Sequence, residues 1–76
     1  MNKKDRANAY KRLLNDDTFK LVLDEVKGEQ VEVFLNPNSE REERDEAHYL
    51  VVALQTIVNY MEGVIASDII DDKKNN

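Results

Sequence analysis

The sequence predicts an all-α protein in which a short N-terminal helix precedes an antiparallel helical hairpin with a long C-terminal helix. Hydrophobic residues recur at helical spacing along most of the chain. Only two glycines and one proline occur among 76 residues, and 41% of the residues are hydrophobic, which is too apolar for a disordered chain and too rich in helix formers for a sheet protein. This length allows one domain, 1–76.

The first predicted element is a basic N-terminal helix over residues 1–15. Ala7, Tyr10 and Leu13 fall on one side of it, and Asn15 opens a turn. Five basic side chains against one acidic give this segment a charge of +4, whereas the remainder of the chain carries −9. The basic helix can touch phosphate or pair with the acidic body. The acidic excess favours the second reading, so nucleic acid is not an expected partner.

The second predicted element is a helix over residues 17–35. Gly28 interrupts this segment. Six of its apolar residues fall within one arc at 100° per residue: Phe19, Val22, Leu23, Val26, Val33 and Phe34. Residues 29–35 also allow a strand, because the sequence from Gln30 to Val33 alternates between polar and apolar. Helix is favoured, since no second strand is present for pairing.

The clearest break in the chain is Asn36-Pro37-Asn38-Ser39. Proline stops the preceding helix, and an Asn-Pro pair favours a turn. Ser39 and Glu42 have the spacing of a capping box, which predicts that the long helix begins with Ser39 as its cap.

The third predicted element is a long amphipathic helix over residues 39–66, followed by a polar tail at 71–76 that is expected to fray. Its apolar residues fill an arc that Tyr49, Tyr60 and Ala53 widen to about 200°. This is more than one partner helix normally covers. A helix of this length also overhangs the second element. Either the first helix or another molecule must cover that overhang, and we expect a homodimer. The residues expected to mediate contact are Tyr49, Ala53, Tyr60, Leu50, Ile57 and Val64.

No residue pattern predicts catalysis, a cofactor or a metal site. The chain has no cysteine and one histidine, His48, so disulfides and thiolate zinc sites are excluded. The phosphate-loop, serine-hydrolase and zinc-protease motifs are absent. No unbroken apolar run approaches the length of a membrane span, which favours a cytoplasmic protein. The clustered carboxylates are interpreted as a solvated helix start: Glu40, Glu42, Glu43, Asp45 and Glu46.

One pattern of helices and breaks is similar to that of a known class of proteins. The pattern consists of three segments, the last of which opens a long helix: Leu13 to Phe19, Phe34 to Pro37, and Glu46 to Leu50. It resembles small helical-hairpin proteins of tailed bacteriophages, over roughly residues 10–62. Such proteins are mostly of unassigned function and often lie among virion-assembly or DNA-packaging genes. The resemblance implies a phage accessory or assembly protein, in the host cytoplasm or the virion. It implies no functional residue.

The function expected from these observations is that of a small acidic interaction protein that self-associates through its long helix. The alternative is an acidic inhibitor that occludes a basic nucleic-acid-binding surface of a host enzyme. The acidic body of the chain favours the inhibitor. The broad apolar arc favours self-association, because an electrostatic mimic needs no second apolar face.

Overall fold

The computed structural model describes the backbone of residues 1–75 and the side chains of residues 1–70. Over that range the chain forms three helices and no strand: α1 at Lys3–Leu14, α2 at Asp17–Leu35 and α3 at Arg41–Asn75. The predicted all-α class is confirmed. Residues 29–35 are helical, so the alternative of a strand is wrong.

Short polar side chains begin the first two helices. The Asn2 Oδ1 atom accepts a hydrogen bond from the Asp5 N–H at 2.8 Å, and the Asp16 Oδ1 atom accepts one from the Phe19 N–H at 2.8 Å. Each bond satisfies a backbone donor that has no partner within the helix. Gly28 lies inside α2 and has no positive φ, so the helix is continuous through it.

The boundaries of the long helix differ from the predicted 39–66. The helix begins at Arg41, so Ser39 is not its cap. Ser39 belongs to the preceding turn, where its N–H donates to the Asn36 carbonyl at 3.1 Å and its carbonyl accepts from Arg44 Nη1 at 2.7 Å. The helix also continues to Asn75, because no glycine or proline follows Ile65 to end it. Asn76 and the side chains of the tail predicted to fray, 71–76, lie outside the described residues.

The long helix α3 packs against both α1 and α2, which hardly touch each other. The last turns of α2 lie beside the first turns of α3, where Gln30 and Val33 share a groove with Ala47. Further along α3, the Tyr60 ring lies 6.4 Å from the ring of Tyr10 in α1. The chain measures 57 × 22 × 18 Å, and α3 alone is about 52 Å long at 1.5 Å per residue. The molecule is therefore a rod about two helices thick.

The core of this rod is thin. Only four apolar side chains are buried among the described residues, none of them in α2: Ala7, Ala47, Met61 and Val64. Two of the four are alanines, which let the helix backbones approach closely. The radius of gyration is 16.6 Å, against about 11 Å for a compact chain of this length. Much of the apolar surface consequently stays in water.

Candidate interaction surface

Five apolar side chains of α3 lie on one side of the helix and remain exposed: Tyr49, Leu50, Ala53, Ile57 and Tyr60. At 100° per residue they fall within an arc of about 100°. We call these five residues the α3 flank. Tyr49 is 71% exposed, Ile57 53% and Tyr60 58%. The α3 flank extends for about 17 Å along the helix axis.

The rest of the predicted apolar arc faces the other helices. Ala47 and Met61 are buried, and the positions between them at the same 3-4 spacing are half-buried: Val51, Leu54 and Val58. One side of the wide arc is thus covered by α1 and α2, while the α3 flank is left open. The arc is therefore wider than α1 and α2 together cover along this part of α3.

Two of the predicted interaction residues are placed differently from expectation. Val64 is only 7% exposed, in the part of α3 that lies beyond Tyr60, so it belongs to the core and not to an open surface. Tyr60 was expected to face a second copy, yet its ring meets Tyr10 of α1 at an interplanar angle of 55°. The first helix therefore covers part of the overhang. Tyr60 forms the boundary between the core and the α3 flank.

The α3 flank is bordered by α2 near its N-terminal end. Leu50 and Glu46 share a groove with Val33 and Gln30 of α2. Glu43 lines the same groove, so carboxylates lie directly beside the apolar residues. An apolar centre with a polar margin is the composition found in protein–protein interfaces.

A second groove lies on the other side of Ala47 and was not predicted. It has a volume of about 190 Å³ and is lined mainly by apolar side chains of α2 and α3, together with His48. Phe34, Val31 and Leu35 contribute from α2 and are all exposed. The sequence signal for this groove is a cluster of four apolar residues within five positions at the end of α2, which spans about 200° of the helix and is more than one helical face can bury: Val31, Val33, Phe34 and Leu35.

The carboxylates at the start of α3 are all exposed: Glu40, Glu42, Glu43, Asp45 and Glu46. No group of three potential ligands among the described residues has the geometry to hold a metal ion. His48 is exposed as well, with its ring 6.2 Å from the Tyr49 ring. These positions match the interpretation of the acidic run as a solvated helix start.

The α3 helix also has the length and the apolar content of a membrane-crossing helix. Within Arg41–Ile70 an 18-residue window meets that criterion, and 11% of the window is buried inside the chain. The expectation from the sequence counted unbroken apolar runs, whereas this criterion averages over polar residues such as Gln55 and Asn59. Core helices of soluble proteins pass the same test, so length and composition alone do not assign a membrane.

Comparisons with known proteins found no match to this chain. No protein-family model, curated protein or solved structure matches the chain. The resemblance to phage helical-hairpin proteins therefore stays a prediction.

Proposed function

We propose that this protein is a small non-catalytic interaction protein that forms a homodimer through the α3 flank. In this proposal α2 and α3 are the antiparallel hairpin that the sequence predicts, and α1 lies along the later turns of α3. The flank then faces a second copy. The observation that carries the proposal is the exposure of Tyr49, Leu50 and Ile57 on one side of α3.

The absence of charged residues from the stretch of α3 that carries the flank supports this assignment. In the whole sequence 36% of residues are charged, yet none occurs between Glu46 and Glu62. The fifteen residues between them form four turns of a helix that is open to solvent on one side. A solvent-facing helix normally places charged residues on its outer side. Tyrosines at both ends of the flank are also typical of interfaces, where they are enriched.

The exposed surface supports a dimer of ordinary size. The chain exposes 5979 Å², whereas a folded monomer of 8.8 kDa exposes about 4,800 Å². The excess is about 1,200 Å², and a standard interface buries about 800 Å² on each partner. A second copy can supply the apolar area that this thin core lacks, since a two-fold dimer buries the same patch twice.

A pair of matched substitutions tests the proposal. Ile57→Glu places a charge in the α3 flank, and Val52→Glu places the same charge on the other exposed side of α3. The two side chains are similarly exposed, at 53% and 47%. We expect light scattering to show that Ile57→Glu is a monomer and that Val52→Glu keeps the wild-type dimer mass. Both should retain the helical circular-dichroism signal, because neither side chain is buried.

Two results would contradict the proposal. If Ile57→Glu kept the wild-type dimer mass, the flank would not be the interface. If the wild type were already a monomer that floats with lipid vesicles, α3 would bind a membrane instead, as its length and composition permit. Tyr60 is not used in this test, because its contact with Tyr10 makes a change there disturb the fold.

The second candidate function, an acidic inhibitor, is favoured by a different observation. The five carboxylates from Glu40 to Glu46 are exposed at one end of a narrow rod. Such a surface attracts a basic nucleic-acid-binding site electrostatically. Reversing two of these charges, with Glu40→Lys and Asp45→Lys, would abolish that inhibition of a host DNA-binding enzyme and leave the dimer mass unchanged.

The phage assignment belongs to the proposal as well. The resemblance over residues 10–62 suggests an accessory or virion-assembly protein that acts in the host cytoplasm or the particle. Purified virions and infected-cell lysate, probed with an antibody against the protein, would distinguish the two locations. Detection in neither would contradict a phage role.

A further inference from the structure

We infer that the two copies pair with their α3 helices antiparallel and crossing at Ala53, so that the acidic start of each α3 lies beside α1 of the other copy. This inference depends on the proposed self-association and adds the orientation of the partner. Three observations carry it: the charge along the flank, the position of α1, and the small residue at the centre of the flank.

The flank continues toward the start of α3 as an acidic strip. Glu42 and Glu46 lie four residues apart, and Glu46 precedes Leu50 by another four, so all three share one side of the helix. Both glutamates are exposed. Arg41 and Arg44 lie about 140° and 160° from the centre of this side at 100° per residue. The N-terminal end of the flank is therefore negative.

The other end of the flank meets the basic helix α1. Tyr60 contacts Tyr10, and Arg6 lies one turn before Tyr10 on the same side of α1. Among the described residues the Nε atom of Arg6 is buried without a hydrogen-bond partner. The helix and its flanking residues, 1–15, carry a net charge of +4. The basic helix α1 therefore lies at the C-terminal end of the flank.

A two-fold axis at Ala53 aligns these opposite charges. Residues equally far from the axis then face each other across the interface, so Tyr49 meets Ile57 of the second copy, and Glu46 reaches the level of Tyr60 and α1. A parallel pair would instead place each glutamate beside the same glutamate of the second copy, and this repulsion between like charges costs free energy. Ala53 has the smallest side chain in the flank, which lets the two helices approach most closely at the crossing point.

Cysteine crosslinking measures the orientation, and the chain has no native cysteine to interfere. In the antiparallel pair, a mixture of Tyr49→Cys and Ile57→Cys chains should form a disulfide between unlike chains. Each variant alone should crosslink poorly, since identical positions are separated by about 12 Å along the axis, beyond the reach of a disulfide. A parallel pair gives the reverse pattern. Sedimentation under reducing conditions checks that both variants still associate.

A charge variant gives an independent measurement. Glu46→Gln should weaken association about two- to fivefold, the range of an exposed ion pair, and raised salt should weaken the wild type similarly. Glu62→Gln is the matched control, because this substitution removes the same net charge and Glu62 is exposed on the opposite side of α3. In a parallel pair Glu46→Gln would tighten association relative to this control.

The outcomes distinguish a failure of the antiparallel orientation from a failure of the proposed self-association. A dimer in which Tyr49→Cys crosslinks readily to itself, or in which Glu46→Gln binds more tightly than Glu62→Gln, overturns the antiparallel orientation and leaves self-association standing. A wild-type monomer overturns the proposed function and this inference together. Disulfides confined to the mixed pair of variants, with weaker association of Glu46→Gln, establish the orientation.

Discussion

Replacement of Gly28 by alanine should stabilise the protein. Gly28 lies in the interior of α2, has no positive φ, and is exposed. A Cβ atom built at this position meets nothing within 4 Å apart from its chain neighbours and the nearby backbone of α2 itself, so the change adds neither a clash nor a new packing contact. What remains is the helix propensity, which favours alanine over glycine by about 0.8–1 kcal/mol. In a domain of this size that gain corresponds to a rise in Tm of about 4–8 °C.

Thermal unfolding followed by circular dichroism at one fixed protein concentration measures this shift. The concentration must be fixed because the Tm of a dimer depends on it. Gly63→Ala is the matched control, since Gly63 is also helical and exposed, with no atom within 4 Å of a built Cβ. Both variants should gain a similar amount. A fall in Tm for Gly28→Ala alone would refute the reasoning and show that α2 is not continuous through Gly28.

Three further substitutions test the fold. Asp16→Ala should cost about 1 kcal/mol in urea unfolding, because the Asp16 carboxylate caps α2 through the Phe19 N–H. Ser39→Ala should change the free energy of unfolding by less than about 0.5 kcal/mol, and a loss as large as that of Asp16→Ala would restore Ser39 as a helix cap. Met61→Ala removes one of the two large side chains in the core and should cost about 2–5 kcal/mol; an unchanged urea midpoint would show that the burial of Met61 contributes nothing to stability.

The helices could be predicted from the sequence because each has a local physical signal. Asn15 and Asp16 separate α1 from α2, and Pro37 lies in the turn that separates α2 from α3. Helical spacing outweighed the short alternation from Gln30 to Val33, since a strand without a partner gains no hydrogen bonds. The two errors lie at the ends of α3. The capping box predicts Ser39 as the cap from residue spacing alone. Spacing does not reveal that the Arg44 side chain donates a hydrogen bond to the Ser39 carbonyl in the preceding turn.

The candidate surface was only partly predictable, because periodicity gives the width of an apolar arc and not which side of it a neighbouring helix covers. Tyr49, Leu50, Ala53 and Ile57 are exposed as the arc width suggested. Val64 lies on the same side by its position in the sequence, yet it is buried in the core. The placement of α1 along α3 decides this difference, and that placement depends on contacts distant in sequence.

Sedimentation equilibrium of the wild-type protein at tens of micromolar, in buffer without detergent, tests the central claim most directly. The account predicts a mass of twice 8.8 kDa that falls toward the monomer on dilution, because the α3 flank is buried only when two copies meet. A mass of 8.8 kDa at every concentration would contradict it, since the α3 flank would then stay open to water with no second copy to cover it.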